Sequence, residues 1–328
     1  MRQRRLVFRS TSALQLGAEI VTRAFLRMNF RAFFRQLTLA STVLISSAAI
    51  SDAAPADKLV PADASTFRVM SFNVRNSNAQ DGENAWPKRI PLFFDVVTGF
   101  NADLIGFQEV LAVQYDEITK RLSGHAFSGV ARDDGKRKGE WSMVGYRRDR
   151  FALVDHGDFW LSETPTVAGS KSWDAALTRL CSWVRLRESS TGRELVFANT
   201  HFDHKGVIAR QEASRVLSKQ LSAVAKGVPA ILIGDFNITE DNPAYAVLVR
   251  PDTPGAIAWI DAYRSLHPDR TPEEASFHGF KGGTTGSRID FIFHTAHFTA
   301  TASAIDRTVR DGRFPSDHYA ITAVLKLK

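Results

Sequence analysis

Between Phe67 and Leu327, six separate apolar, strand-like runs each carry an acid, an amide or an imidazole near one end. Asn73 ends "FRVMSFNV", Glu109 ends "ADLIGFQEV", and His201 ends "RELVFANTHF". Asp235 and Asn237 end "PAILIGDFN", Asp290 lies inside "RIDFIFH", and Asp317 with His318 opens "HYAITAVLKL". Any one of these is ordinary turn chemistry. Six together predict a fold in which strand ends converge, because a buried carboxylate is costly without a metal, a proton or a partner.

The order of elements fits that demand. From Phe67 onward the pattern reads strand, helix, strand, with a helix opened by Pro87 across residues 87–100. "WSMVGYRR", "RFALVDHGDFWL", "TRLCSWVRLRE" and "RELVFANTHF" follow as strands separated by turn-rich connections. The clearest amphipathic helix is "VIARQEASRVLSKQLSAVAKG", with Gly227 as its stop. Buried strands, hairpins and a few long helices suggest two packed sheets with helices outside. No composition break divides residues 66–328, which read as one domain.

Charge narrows the partners. The chain is 328 residues long with net charge +7, yet residues 1–53 hold eight Arg against Glu19 and Asp52. Residues 54–328 therefore keep 34 basic and 33 acidic groups, a balance of +1. Such a domain has no global pull on a polyanion. The basic start "MNFRAFFRQ", the uncharged run "LTLASTVLISSAAI" and the small residues Ser51 and Ala53 read as a signal peptide cut near Ala53–Ala54. On this reading Met28 is the true start, residues 54–65 are a short linker, and the product is periplasmic or secreted, with no stable membrane insertion after processing. The single Cys181 excludes an internal disulfide and a cysteine-based zinc site.

The blocks "SFNVR", "FQEV", "NTHFDH", "GDFN", "RIDFIF" and "SDHYAI", in this order across residues 66–328, resemble the endonuclease/exonuclease/phosphatase (DNase I-like) superfamily of metal-dependent phosphoesterases. "DGENAWPKR", "GVARDDGKRKGE", "FWLSETP" and "SFHGF" look like an exported bacterial branch related to deadenylase-like and sugar-phosphatase-like members. The resemblance implies an α/β four-layer sandwich of two packed mixed sheets flanked by helices. It also implies a Mg²⁺-dependent hydrolase, Mn²⁺ being an alternative, in which a metal-activated water attacks phosphorus.

By the same resemblance, Glu109 is the principal metal ligand, Asn73 assists it, and Asp317 is a second acidic ligand or orients a histidine. Asp235 orients or deprotonates the attacking water, and Asn237 holds a phosphate oxygen or the nucleophile. His201 points at the phosphate, and His318, held by Asp290, donates to a phosphate oxygen or transfers a proton. Whether Asp235 or His318 is the base stays open. His204, His278 and Arg132 are candidate substrate contacts, each with a bland alternative as a loop, core or surface residue. The expected substrate is a small phosphorylated molecule, a sugar phosphate or nucleotide. A nucleic-acid strand is the runner-up; a phospholipid head group and a non-catalytic binding module rank lower. No obligate protein partner is expected.

Overall fold

The first apolar run forms β1 (Thr66–Asn73), and α1 (Trp86–Phe100) leads from it to β2 (Leu104–Val110). Pro87 sits in the first turn of α1, where its missing N–H is no loss, and Asn101 ends the helix in the left-handed region at φ 51°. Next come α2 (Ala112–Arg121), β3 (His125–Ser128), β4 (Trp141–Arg147), β5 (Phe151–Trp160), β6 (Leu180–Glu188) and β7 (Glu194–His201). Then α3 (Val207–Ala225) leads to β8 (Ala230–Asp235), α4 (Pro243–Val249), β9 (Ile260–Asp261) and α5 (Ala262–Leu266). The last three strands are β10 (Asp290–His294), β11 (Phe298–Asp306) and β12 (Ala320–Leu327). This computed structural model describes residues 65–328; the expected signal peptide, the cut near Ala53–Ala54, the start at Met28 and the linker through residue 64 lie outside the described residues.

The strands make two mixed six-stranded sheets, ordered β11-β12-β1-β2-β4-β3 and β5-β6-β7-β8-β10-β9. Within each, one central pair is parallel (β1 with β2, β7 with β8) and the other neighbours are antiparallel. A parallel pair requires a crossover, and α1 and α3 supply the two.

Alternation along the strands gives the layers. Val69, Leu104 and Val144 of one sheet pack with Phe197, Ile233 and Ile292 of the other. On the outer faces, Met70, Phe72 and Phe107 meet Phe93 and Val97 of α1, while Val196 and Leu232 meet Leu217 and Leu221 of α3. Truncating one such fully buried Leu or Ile to Ala costs about 2–5 kcal/mol. The sheets come close at Gly106, where an added Cβ would lie 2.4 Å from Ile233 Cδ1. Beside it the buried Asn199 donates to the carbonyls of Phe107 (3.0 Å) and Met143 (2.8 Å) and accepts from Gln108 (2.7 Å), a polar clasp between the sheets.

Helix α2 and the short elements β3, α4, β9 and α5 are absent from the sequence reading. Only Gln114 and Ile118 of α2 are buried, so its apolar stripe is too thin to announce a helix. Asp317 and His318 lie just before β12, which begins at Ala320, rather than inside it.

Candidate active site

Asn73 is the last residue of β1, and its side-chain amide donates to Glu109 Oε1 (3.0 Å) and to Asp235 Oδ2 (2.9 Å). One amide thus joins the ends of three strands from both sheets. Pairing of β2 with β4 is irregular between Phe107 and Val110, and Glu109 within that bulge has φ 61°. A bulge re-aims a side chain, here toward the cleft, and a non-glycine residue at such a φ stores on the order of 1–3 kcal/mol. The other Glu109 oxygen accepts from the main chain and side chain of Asn76, both at 3.1 Å. Burial raises the Glu109 pKa, but His318 and the Asn73 and Asn76 hydrogen bonds outweigh it and hold the carboxyl below its usual range.

The second sheet contributes a row set by register. His201 of β7 is paired with Asp235 of β8, which is paired with Asp290 of β10, so the three share one level. His201 Nε2 lies 3.5 Å from Asp235 and accepts from Asn237 Nδ2 at 3.0 Å. Asn237, at φ 49°, is the second strained residue of the site, and its N–H donates to Asp235 Oδ1 at 2.9 Å. His318 closes the row: Nδ1 is 2.9 Å from Asp290 Oδ2 and Nε2 is 3.7 Å from Asp235 Oδ2.

Electrostatics divide these groups into roles. Burial alone would drive His318 neutral, but the charges of Asp290 and Asp235 overcome it and push its pKa up to about 10. Asp235 is pushed up to about 7, first by burial and then by Asp290, with His318 pulling the other way. His201 moves well below its ordinary value through burial and the nearby Arg179 and Arg132 guanidiniums, so its ring is neutral. At neutral pH the row therefore holds a cationic His318, a neutral His201 and, between them, an Asp235 that titrates.

Two buried side chains brace the exit from β1. Arg89 of α1 donates to the carbonyls of Asn84 (2.6 Å), Val74 (3.0 Å), Arg75 (3.2 Å) and Pro315 (2.5 Å), tying the β1 exit to the loop that carries Asp317 and His318. Gln114 accepts from Ser77 and Leu111 and donates to the Arg75 carbonyl, all within 3.1 Å.

The structure brings Glu109, Asp317, His201, Asp235, Asn237, His318 and His204 into the lining of one cleft of about 360 Å³. Asn73 and Asp290 stand directly behind that lining through the bonds given above. His278 is a correction: its ring stacks on Tyr319 (4.1 Å) and packs against Phe314 (4.6 Å), outside the cleft lining. Its main-chain N–H instead holds the Asp317 carbonyl at 2.9 Å. Arg132 is also displaced from a rim role, because Glu140 pins its guanidinium at 2.5 Å in a small recess behind Arg179 and His201. Seven lining residues escaped the sequence reading: Arg75, Asn76, Glu140, Leu177, Arg179, Phe277 and Ile289. Arg75, Glu140 and Phe277 at least sit inside quoted blocks; Phe277, one residue before His278, is half exposed with its ring 4.9 Å from that of His318.

Comparison with known proteins agrees with this fold. The model of the Endonuclease/Exonuclease/phosphatase family matches residues 70–318. The solved endonuclease/exonuclease/phosphatase from Bacteroides vulgatus is 31% identical with a TM-score of 0.74, covering 80% of this chain and 99% of that one. A mannosyl-6-phosphatase from Bacteroides thetaiotaomicron is 35% identical with a TM-score of 0.71, covering 79% and 99%. Nocturnin of Drosophila melanogaster is 25% identical over 214 residues, 56% of this chain and 32% of its own length. The chain spans about a third to a half of the length of the curated relatives it matches. It belongs to the endonuclease/exonuclease/phosphatase family and is an enzyme of that family's phosphoester-hydrolysing class.

Proposed function

We propose that the protein is an exported, Mg²⁺-dependent phosphoesterase acting on a small phosphorylated substrate, a sugar phosphate or a nucleotide. The observation that carries the reading is the meeting of Glu109, Asp235 and His318 around one amide, Asn73, which is 3.0, 2.9 and 3.4 Å from them. A cation ligand, a titrating acid and a cationic donor thus share a single cleft.

Asp235, with a pKa near neutrality, accepts the proton of the attacking water. His318, cationic and fixed by Asp290, donates to a phosphate oxygen or to the leaving group. Asn237 and the neutral His201 orient the phosphate from the other side.

Two donor sets bear on the metal. Asp235, Asp290 and His318 lie close enough together to hold an ion, but His318 spends Nδ1 on Asp290 and, as imidazolium, has no lone pair to offer. Glu109 and Asp317 offer only hard oxygens, with Glu109 receiving nothing but neutral N–H donors, and these fit Mg²⁺ better; the Asn73 amide nitrogen faces Glu109 while its oxygen accepts from the Arg75 N–H. Bound there, the cation would neutralise phosphate charge and acidify water.

Three observations favour a small substrate. The cleft volume, about 360 Å³, is at the lower end for small-molecule sites. The +1 balance of residues 54–328 leaves little attraction for a polymer. Identity to the mannosyl-6-phosphatase extends over nearly all of that protein. A second reading, hydrolysis of RNA, is favoured by the match to a Ccr4 3'-5'-exoribonuclease subunit of Mycosarcoma maydis. A panel of sugar phosphates, mononucleotides, dinucleotides, RNA and DNA with Mg²⁺ or Mn²⁺ separates them. Export rests on the segment before Ala54 and is tested by the intact mass of the protein from the host's exported fraction; a product retaining residues 28–53 there would contradict it.

A further inference from the structure

Arg179, next to the start of β6, is 6% exposed and lines the cleft beside His201 and His204. Its Nε and Nη1 have no hydrogen-bond partner, and only Nη2 is engaged, at 3.4 Å from His204 Nδ1. Among the described residues, the one carboxylate within 4 Å is Asp203, 3.9 Å from Nε. Asp203 is already committed: its oxygens accept from the main-chain N–H groups of Gly206 (2.7 Å), Lys205 (2.9 Å) and Leu177 (2.9 Å). Glu140, the next acid on this side, is held by Arg132 at 2.5 Å. A desolvated guanidinium with two idle donors destabilises the fold unless an anion completes it.

We infer that Arg179 binds the scissile phosphate and selects for a phosphomonoester. A diester presents one negative charge, whereas a monoester carries about −1.5 to −2 at pH 7 and offers three acceptor oxygens. Glu109 and its cation meet the phosphate from one sheet; Arg179 supplies a second fixed positive charge from the other, on a guanidinium that no carboxylate among the described residues neutralises by a close ion pair. The inference rests on the phosphoesterase reading above and adds the ester class and the residue that sets it.

The test uses wild type, Arg179→Met and Arg179→Lys. Melting temperatures are measured over a series of inorganic phosphate, with and without Mg²⁺, and kcat/KM is measured on a phosphomonoester and on the diester with the same leaving group. Arg179→Met is expected to melt no lower than wild type without phosphate, and to lose most of the phosphate-induced rise. It should lose roughly 10- to 100-fold more kcat/KM on the monoester than on the diester, with Arg179→Lys in between. A drop of several degrees without phosphate, combined with an undiminished phosphate response, would make Arg179 a structural residue and overturn the inference. Equal losses on both esters would overturn the selectivity claim. If wild type cleaves neither ester while its phosphate response still requires Arg179, the anion contact stands and the catalytic reading fails instead.

Discussion

The two walls of the cleft come from the two sheets and differ in the side chains they present. The wall from β1, β2 and the loop before β12 presents the carboxylates of Glu109 and Asp317, with Arg75 beside them. The wall from β6, β7 and the residues after β8 offers nitrogen: Arg179, His201, His204 and Asn237. Asp235 and His318 stand between them, 3.7 Å apart. The walls also differ in how completely they are satisfied. Arg89, behind the carboxylate wall, has four carbonyl partners, while Arg179 in the nitrogen wall has idle donors. The arginine behind the first wall is satisfied by protein alone; the one in the second is not. A phosphate bridging a cation on one side and cationic donors on the other is the ligand that answers both.

The sharpest way to break this comparison is at its middle. Asp235→Asn keeps the shape and removes the proton acceptor, so kcat should fall by about 10²–10⁴-fold. Wild-type kcat/KM should rise with pH through about 7, as Asp235 loses its proton, and fall through about 10, as His318 loses its own. The acidic limb should vanish in Asp235→Asn, and Asp290→Asn should move the alkaline limb to lower pH. An acidic limb that persists unchanged in Asp235→Asn would assign the base elsewhere.

Glu109→Gln tests the carboxylate wall alone. A neutral amide in place of a charged hard ligand should cost roughly 10²–10³-fold in turnover and shift the Mg²⁺ titration to higher concentration. An unaltered Mg²⁺ dependence would mean that the ligand has been misidentified.

Asp290 and His318 should act as one unit. Each single mutant should be severe, around 10²–10³-fold, and Asp290→Asn/His318→Ala little worse than the worse single. Losses that add fully in log rate would contradict the pairing. Stability, rather than rate, separates the two arginines: Arg89→Met should lower it by about 2–4 kcal/mol by orphaning four carbonyls, whereas Arg179→Met should not. Urea midpoints of the two variants, at equal m-values, decide it.

The sequence was most legible where function sits at the end of an apolar run. Asn73, Glu109, His201, Asp235 and His318 are marked by the change from buried alternation to a polar residue, and register does the rest. The four-layer sandwich was legible for the same reason, through long strands and two long crossover helices. Arg179 carried no such mark, since one Arg before "LCSW" means nothing until its partners are seen to be occupied. In "SFHGF" the imidazole attracted attention, yet the neighbouring Phe277 faces the cleft while the histidine packs on Tyr319. Alternation of faces along an extended segment produces that exchange, and a one-residue choice cannot be made without the register. Helix α2 stayed hidden because Gln114 does its work through hydrogen bonds rather than apolar burial.

The central claim is hydrolysis of a small phosphoester between a cation wall and an anion-binding wall. It is tested most directly by kcat/KM of the purified protein with Mg²⁺ on a hexose 6-phosphate, a mononucleotide and a single-stranded RNA, each at low and physiological salt. The account predicts Mg²⁺-dependent release of phosphate from one of the small esters at least as efficiently as RNA is cleaved. It also predicts only weak salt dependence, because residues 54–328 carry a net charge of only +1. Cleavage confined to long RNA, falling steeply with salt, would contradict it.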